Sequence, residues 1–489
     1  MTIGIKPYPA YKDSGVPWLG QVPGDWTVQR LSASIADFVA GAWGGEPNGR
    51  DDTICVRVAD FDRSRLRVRF GRPTIRAISP EDLRRKRLKR GDLLLEKSGG
   101  GDLQPVGVVM LYDHDEVAVC SNFVARMSAA TGFRPGFLVY LHAALYAMGL
   151  NVRSIKQTTG IQNLDCRAYL SESVAFPSLP EQVAIVRYLD HADRKVRHAI
   201  RARQQLIKLL TEQKQAIIQR AVTRGLDPNA RLKPSGVPWL GDVPEHWEVR
   251  SFTRCVTEIA DYRGATPIKT DSGVFLVTAR NVRKGRIDYE VSKEFVARTD
   301  YAKVMRRGLP HVGDLLLTME APLGNAALVD REDVAFAQRI VRFRFDPSRF
   351  VPDFVLRAVL SPYFQSQLQQ RGTGSTALGI KASKLPELQL LCAPLEEQSA
   401  IVQYVDGATA NLDKSIGAAH REIDLLREYR TRLIADVVTG KLDVRDVPVP
   451  DDETDVLPEE LESIDNVEAI DQTDDVAEGD SESSSEESA

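Results

Sequence analysis

The chain has 489 residues, which is too many for one ordinary hydrophobic core and indicates two to four domains. Its composition, 43% hydrophobic and 27% charged, is typical of a globular protein and excludes a fibrous or largely disordered one. The formal net charge is −4, but residues 451–489 contain 17 Asp and Glu and no Lys or Arg, so the rest of the chain carries a net charge of +13. A net positive charge on this part of the chain favours a polyanionic partner such as nucleic acid.

Five scattered cysteines form no CxxC pair. This spacing argues against a disulfide framework or a zinc cluster and favours a reducing compartment. The first residues contain no apolar segment of the kind found in signal peptides, and the longest apolar run, 137–150, is too short to span a bilayer. We therefore expect a cytoplasmic protein that binds neither metal nor membrane.

A segment rich in proline and tryptophan occurs twice, as SGVPWLGQVPGDWTV (Ser14–Val28) and SGVPWLGDVPEHWEV (Ser235–Val249), with eleven of fifteen residues identical. Four further pairs recur in the same order. They are GDLLL at 91–95 and 313–317, Gly-Ile at 160–161 and 379–380, FPSLPEQVAIVRYLD against CAPLEEQSAIVQYVD, and AVTRGLD against VVTGKLD. Ordered recurrence of this kind indicates internal duplication, with divergent inserts inside a constant frame.

Each insert is predicted to be a compact α/β unit of about 140 residues, an ordinary domain size. TICVRVA (Thr53–Ala59) and VFLVTA (Val274–Ala279) are typical of short strands, and each GDLLL predicts a buried strand after a Gly-Asp turn. Helices are predicted at 137–150 and 352–370, with a break in the second at Pro362.

A long helix is predicted after each insert, at Glu181–Arg224 and Glu397–Thr439. Apolar residues recur at alternating spacings of three and four along both, which is a heptad pattern. The simplest way to cover both stripes is an antiparallel coiled coil of the two helices; the alternative is two independent helices, each packed on its own insert. We expect nine residues to form the helix interface: Leu189, Val196, Leu206, Leu210, Ile217, Val405, Leu412, Leu426 and Leu433.

The acidic segment at the end of the chain has too few apolar residues to offset the entropy of ordering, and we predict that it is disordered.

The paired motifs WLGxVPxxW, GDLLL and LxEQxAIVxYxD resemble the DNA specificity subunits of type I restriction–modification enzymes, over residues 11–443. The resemblance implies a mixed α/β fold with pseudo-twofold symmetry, in which two target-recognition domains are separated by the antiparallel helices. It divides the chain into two repeat segments (1–30 and 228–250), two target-recognition domains (31–176 and 251–391), two spacer helices (177–227 and 392–443) and the acidic tail (444–489).

The resemblance also implies partners. Each recognition domain would read one half of a bipartite, asymmetric site in double-stranded DNA. The helices would bind two methyltransferase subunits, which carry the S-adenosylmethionine, and two ATP-dependent restriction subunits would complete the complex. In this chain itself we expect no catalytic residue and no cofactor.

Basic residues in both inserts are candidates for DNA contact. In the first insert, Arg63, Arg65, Arg67 and Arg69 would share one face of an extended strand, and Lys97 follows the GDLLL strand in a glycine-rich loop. The alternatives are a solvated surface strand and a loop whose glycines merely close a hairpin. In the second insert, Arg280, Asn281, Arg283, Lys284 and Arg286 surround a predicted turn at Gly285. Arg pairs with guanine and Asn with adenine through two hydrogen bonds, but an Asn-containing turn without a ligand fits the same residues.

Motifs for catalysis are missing from the sequence. It contains no phosphate-binding loop, no [DN]PP[YF] methyltransferase motif, no HExxH and no nucleophile elbow. A non-catalytic specificity subunit is therefore the favoured interpretation. A coiled-coil interaction scaffold without DNA readout and a stand-alone DNA-modifying enzyme are the alternatives.

Overall fold

The computed structural model describes residues 6–450, except 102, 238–239, 264–265, 338 and 375–377, and without the side chains of 158 and 159. Pro238 and Trp239 of the second repeat segment, and residues 451–489 of the acidic tail, lie outside the described residues. Residues 444–450 of the predicted tail are described, and Val444 is 1% exposed in a buried cluster, so the prediction that disorder begins at 444 is wrong for these residues. The chain divides into two compact units. Of the described residues, the first unit contains those within 6–203 and 421–450, and the second contains those within 204–420.

Two long helices dominate the helical content. The first long helix is Leu179–Arg224 and the second is Leu395–Val438, each within two residues of its predicted bounds. The boundary between the units crosses both helices, so each helix contributes one end to each unit. Within the described residues, no helix is both long and apolar enough to cross a bilayer.

The long helices run antiparallel within each unit. In the first unit, Arg203 pairs with Glu422 at 2.5 Å and Asp193 pairs with Arg430. Residue numbers therefore increase along one helix in the direction in which they decrease along the other. In the second unit, Lys214 Nζ contacts Asp413 Oδ1 at 2.5 Å, and Val222 shares a buried cluster with Ile401. The predicted antiparallel arrangement is confirmed, and the alternative of two helices packed independently is not found.

The first unit is built on a six-stranded sheet. Its strand order is Ile35–Ala40, Val124–Ala129, Leu93–Glu96, Val109–Leu111, Arg67–Val68, Phe61–Asp62. Two three-stranded sheets adjoin it: Ala118–Cys120, Asp52–Val56, Ile75–Ala77; and Ser98–Gly99, Ile161–Leu164, Ile155–Thr159. The two-stranded sheets are Tyr11–Asp13 with Gln21–Pro23, and Thr27–Arg30 with Ser173–Phe176. The shorter helices are Pro80–Lys86, Pro135–Ala147 and Cys166–Leu170.

The second unit repeats this plan. A four-stranded sheet has the order Val256–Asp261, Ile340–Phe345, Leu315–Thr318, Ala326–Leu328, and a second has the order Lys269–Thr270, Phe295–Val296, Val274–Val277, Val334–Phe336. The two-stranded sheets are Leu232–Pro234 with Asp242–Pro244, Glu248–Ser251 with Gln389–Cys392, and Val282–Arg283 with Arg286–Ile287. The shorter helices are Tyr301–Val304, Pro352–Leu360 and Pro362–Arg371, with the break at Pro362 as predicted. Four antiparallel strands in one order and one parallel pair thus occur in both units, although the insert sequences differ.

The GDLLL motif forms the same turn and buried strand in each unit. Gly91 and Gly313 have φ near +90°, a conformation that favours glycine, and a Cβ on either would touch the proline that begins the following helix, Pro135 or Pro352. The next residue closes the turn, because Asp92 and Asp314 each accept a hydrogen bond from the backbone amide three residues earlier. The leucines are fully buried in both strands. The motif therefore recurs because one turn geometry is needed twice.

The tryptophan motif is tied to the start of a long helix in each unit. Trp26 is fully buried and donates its indole N–H to Glu181 at 3.0 Å, and Trp247 donates to Glu397 at 2.8 Å. Tyr8 adds a second bond to Glu181, at 2.6 Å. The carboxylate side chains thus satisfy indole donors that would otherwise be buried without a partner.

The glutamine that follows each of these glutamates holds the insert. Gln182 accepts a hydrogen bond from the amide of Arg134 at 2.9 Å, and Gln398 accepts one from the amide of Val351 at 2.8 Å. In both units the residue whose amide donates lies directly before the proline that begins the insert helix. The shared Glu-Gln pair therefore positions both the repeat segment and the insert on the long helix.

Candidate nucleic-acid interface

The basic stretch of the first insert is a hairpin and not the predicted strand. Phe61–Asp62 pairs with Arg67–Val68, and residues 63–66 form the turn between them, with Leu66 at φ +55°. The prediction that Arg63, Arg65, Arg67 and Arg69 alternate along one extended face is wrong, because the chain reverses direction among them. The second long helix holds this turn, since its Arg430 donates a hydrogen bond to the Ser64 carbonyl at 2.8 Å.

The arginines of this first hairpin have acidic partners within the unit. Arg65 lies 3.6 Å from Asp62, and Arg67 is paired with Asp113. Both arginines are partly exposed, and exposed ion pairs contribute only about 0–1 kcal/mol. A DNA phosphate can therefore replace either carboxylate at little cost. Arg69 has no ion pair among the described residues and stays a candidate.

Arg63 is held by a buried carboxylate. Its Nη2 lies 3.5 Å from Glu96 Oε2, whose side chain is 2% exposed, and that oxygen has no hydrogen-bond partner in the described part of the unit. Burial raises the pKa of Glu96 to about 7, and the charge of Arg63 only partly opposes this. Arg63 also lines a cavity of about 210 Å³ with Met110, Tyr146 and Arg430. The Arg63 side chain is thus tied to a buried carboxylate, although it is 34% exposed against 28% for Arg65.

The second insert presents a tight hairpin at the position predicted for a turn. Val282–Arg283 pairs with Arg286–Ile287, and Gly285 has φ +92°. Arg283, Lys284 and Arg286 are all exposed. Within the part of the chain that the structure describes, Arg286 alone of the three pairs with an acidic side chain, Asp288 at 3.0 Å. Arg280 is exposed next to this hairpin. The side chains at the turn therefore form a small basic surface that is open to solvent.

Asn281 does not belong to that surface. It is fully buried, and its Oδ1 accepts from the Thr278 amide and hydroxyl, both at 2.9 Å. Its Nδ2 donates to the carbonyls of Asp288 at 2.9 Å and Ser292 at 2.8 Å. All its hydrogen-bonding groups are used inside the unit, so the prediction that it reads adenine is wrong. The alternative interpretation, an asparagine that organises a turn, is the correct one.

Lys97 is half-buried, and its backbone amide donates to the Phe123 carbonyl at 2.8 Å. The glycines that follow Lys97 allow the backbone conformation of the loop. Gly100 has φ +64°, and a Cβ there would lie 2.6 Å from the Val106 amide. Close packing against the unit's own backbone explains this glycine, as the hairpin alternative proposed.

An exposed aromatic residue was not predicted. Trp43 is 38% exposed, and the Arg76 guanidinium lies 4.6 Å from its ring centroid. Glu46 holds Arg76 in place at 2.6 Å. The signal in the sequence was a tryptophan within glycines (GAWGG), which is an unusual setting for a core residue.

The predicted helix interface is buried most completely near the ends of the helices. Leu189, Val196, Val405 and Leu433 are at most 5% exposed, whereas Leu206 is 43% exposed. Leu209 and Leu425 are exposed as well, at 51% and 63%. The remaining predicted residues are partly buried: Leu210, Ile217, Leu412 and Leu426.

Two characterised relatives and one solved structure resemble this chain. It is 22% identical over 320 residues to the type I restriction enzyme MjaVIII specificity subunit of Methanocaldococcus jannaschii, covering 63% of this chain and 71% of the relative. It is 23% identical over 313 residues to the EcoBI specificity subunit of Escherichia coli, covering 61% of this chain and 64% of the relative. A chain solved in work on complex assembly and conformational transition of the type I R-M system matches with a TM-score of 0.59 and 16% identity. That match covers 86% of this chain and 99% of the solved one. The chain is thus similar in sequence to type I specificity subunits and similar in fold to a chain of the type I R-M system. No protein-family model matches it.

The resemblance stated from the motifs is thereby confirmed, and so is the mixed α/β fold class with two sheet-rich units and two long helices. The frame motifs lie in the parts of the chain that are common to both units. The two basic hairpins lie in the parts that differ. The predicted domain boundaries, and the predicted DNA-contact residues other than Asn281, stay predictions.

Proposed function

We propose that this chain is the specificity subunit of a type I restriction–modification complex and that each of its units reads one half of a bipartite DNA site. The observation that carries the proposal is the duplicated strand order with different hairpins at matching places. The frame that holds the inserts is the same in both units, while the side chains on the hairpins differ. Two modules with one scaffold and different reading surfaces are what an asymmetric site requires.

The charges on the hairpins fit this role. Half or more of the hydrogen bonds that proteins make to DNA go to phosphate and sugar, and Arg and Lys are the usual donors. The second hairpin offers Arg283, Lys284 and Arg286, and the first offers Arg65, Arg67 and Arg69. The Trp43–Arg76 pair adds an aromatic surface, which suits contact with bases or sugars.

The long helices are the proposed binding surface for methyltransferase subunits. Leucines exposed to water are unfavourable unless a partner covers them, and Leu206, Leu209 and Leu425 are such residues. Methyl transfer, with S-adenosylmethionine, would then be carried out by the partners, and restriction subunits would join the same assembly. The sequence motifs of this chain supply no residues for that chemistry.

DNA binding at several ionic strengths tests the proposal. The complex with its methyltransferase subunits is titrated with duplex DNA, and log K is plotted against log salt. Each phosphate contact contributes about −0.9 to the slope. Arg283→Ala combined with Lys284→Ala should make the slope shallower by about 2, whereas Lys293→Ala, which removes an exposed lysine paired with Glu290, serves as the control. A flat salt response of the unmodified complex would contradict DNA binding and would favour the protein-interaction scaffold.

A further inference from the structure

Two thiols face each other in the second unit. Cys255 Sγ lies 3.7 Å from Cys392 Sγ. Cys255 is 5% exposed and directly precedes the strand Val256–Asp261, whereas Cys392 is half-buried and ends the strand Gln389–Cys392. The second long helix begins three residues later. The pair therefore joins the beginning of the second insert to its end.

The thiol pair is not part of the duplicated frame. With the repeats in register, Ser34 and Phe176 occupy the corresponding places in the first unit. Ser34 donates to the Leu31 carbonyl, three residues earlier, at 2.7 Å, and Cys255 contacts the Ser251 carbonyl, four residues earlier, at 3.5 Å. The frame thus folds without thiols in one unit, and a serine fits the position of Cys255. The pair needs an explanation other than folding.

The surroundings of the pair make its members unequal. The contact with the Cys392 thiol is the main cause that lowers the pKa of Cys255, and the nearby charges of Arg250 and Arg349 lower it further. The same contact raises the pKa of Cys392. Cys255 is therefore the more readily deprotonated thiol of the pair, and Cys392 is the less readily deprotonated one. An activated thiolate with a second thiol in contact is the arrangement that thiol–disulfide exchange uses.

We propose that Cys255 and Cys392 are a redox modification site, which small-molecule disulfides such as oxidised glutathione convert to an intramolecular disulfide. The Cys255 thiolate attacks one sulfur of the small disulfide, whose S–S bond breaks and releases one small thiolate. Cys392 then gives up its proton to solvent and attacks the Cys255 sulfur, which releases the second small thiol. The two cysteines lose two electrons, and the small disulfide gains them.

The disulfide would enclose the whole second insert in one covalent loop. A bond of ordinary length requires the two sulfur atoms to approach by about 1.7 Å, which side-chain rotation can supply. Closing a loop of more than 100 residues restricts the unfolded chain strongly. We therefore expect oxidation to raise the melting temperature of the second unit by about 10 °C and to leave the first unit unchanged.

The test uses the full chain, purified reduced and then incubated with increasing ratios of oxidised to reduced glutathione. Peptide mapping should show a Cys255–Cys392 crosslink before any modification of Cys55, Cys120 or Cys166, and dithiothreitol should reverse it. Cys392→Ser removes the resolving thiol and should accumulate glutathione on Cys255. Cys255→Ser should react much more slowly, and Cys166→Ser, which removes an unpaired thiol, should crosslink as the unmodified chain does.

Two results would overturn the proposal. One is modification of Cys166 ahead of the pair. The other is stable glutathione on Cys255 while Cys392 is present, because a resolving thiol in contact should displace it. Retention of the crosslink in Cys166→Ser with a higher melting temperature supports the proposal, whether or not the complex binds DNA.

Discussion

Replacing the glutamate at the start of each long helix should destabilise the two units unequally. Glu181 is 4% exposed and accepts two buried hydrogen bonds, from Trp26 at 3.0 Å and Tyr8 at 2.6 Å. Hydrogen bonds to charged groups contribute about 1.5–3 kcal/mol each, so Glu181→Ala should cost about 3–5 kcal/mol. Glu397 accepts one such bond, from Trp247, and its second partner, His246, is half exposed and contributes little. Glu397→Ala should therefore cost about 1.5–3 kcal/mol.

Hydrogen exchange followed by mass spectrometry measures both effects in the intact chain, because each unit gives its own peptides. In Glu181→Ala, peptides covering 21–30 and 179–190 should exchange about a hundredfold faster or more. The corresponding peptides of the second unit should change less in Glu397→Ala. Glu212→Ala and Glu396→Ala remove exposed carboxylates from the same two helices and should leave exchange unchanged. If Glu181→Ala behaves like Glu212→Ala, or costs less than Glu397→Ala, the account of the repeat segment is wrong.

Three further variants test other parts of the structure. The pKa of Glu96 is about 7 in the folded protein against 4.5 ordinarily, so the folded state binds more protons and stability falls as pH rises from about 4.5 to 7. Glu96→Gln should remove that pH dependence and should be more stable than the unmodified protein at pH 8 by up to about 3 kcal/mol. Urea titrations at pH 5 and pH 8 measure this difference, and an unchanged pH dependence would refute the prediction. Asn281→Ala leaves several buried groups without partners and should lower the free energy of unfolding by about 2–4 kcal/mol in the same titration. Arg283→Ala should leave the free energy of unfolding almost unchanged. Equal losses in the two variants would contradict the assignment of Asn281 to the interior. Inserting one heptad in both long helices adds about 10 Å to each and should change the spacer of the DNA site by up to about three base pairs without altering its half-site letters, which methylation mapping would reveal.

The features that the sequence predicted correctly are those set by local physical chemistry. The first long helix was located because 44 residues without Gly or Pro follow Pro180, and the second because it repeats the heptad pattern in the same register. The break at Pro362 followed from the missing amide and the fixed φ of proline. The buried GDLLL strands were recognisable because a turn signal precedes an apolar run. Internal duplication predicted the two-unit organisation, because a motif that occurs twice in the same order indicates a shared structural role.

The predictions that failed depended on contacts distant in sequence. The alternating arginines of the first insert were predicted to form a strand, but the chain turns at Leu66, where Arg430, 366 residues away, holds the Ser64 carbonyl. Asn281 is buried because carbonyls up to 11 residues later converge on its amide. Neither contact leaves a trace in the local pattern of residues. Reading surfaces are therefore the least predictable part of such a chain, since they are the part that the shared frame does not constrain.

Mapping methylated bases after exchange of one recognition module is the most direct test of the central claim. Residues 31–176 are replaced by the corresponding insert of another specificity subunit, and the methylated sites are determined in a host that supplies the methyltransferase subunits. The account predicts that one half of the bipartite site changes and the other half keeps its sequence. A change in both halves would show that the two units do not read DNA independently, and a site unchanged in both halves would show that the first insert does not read it.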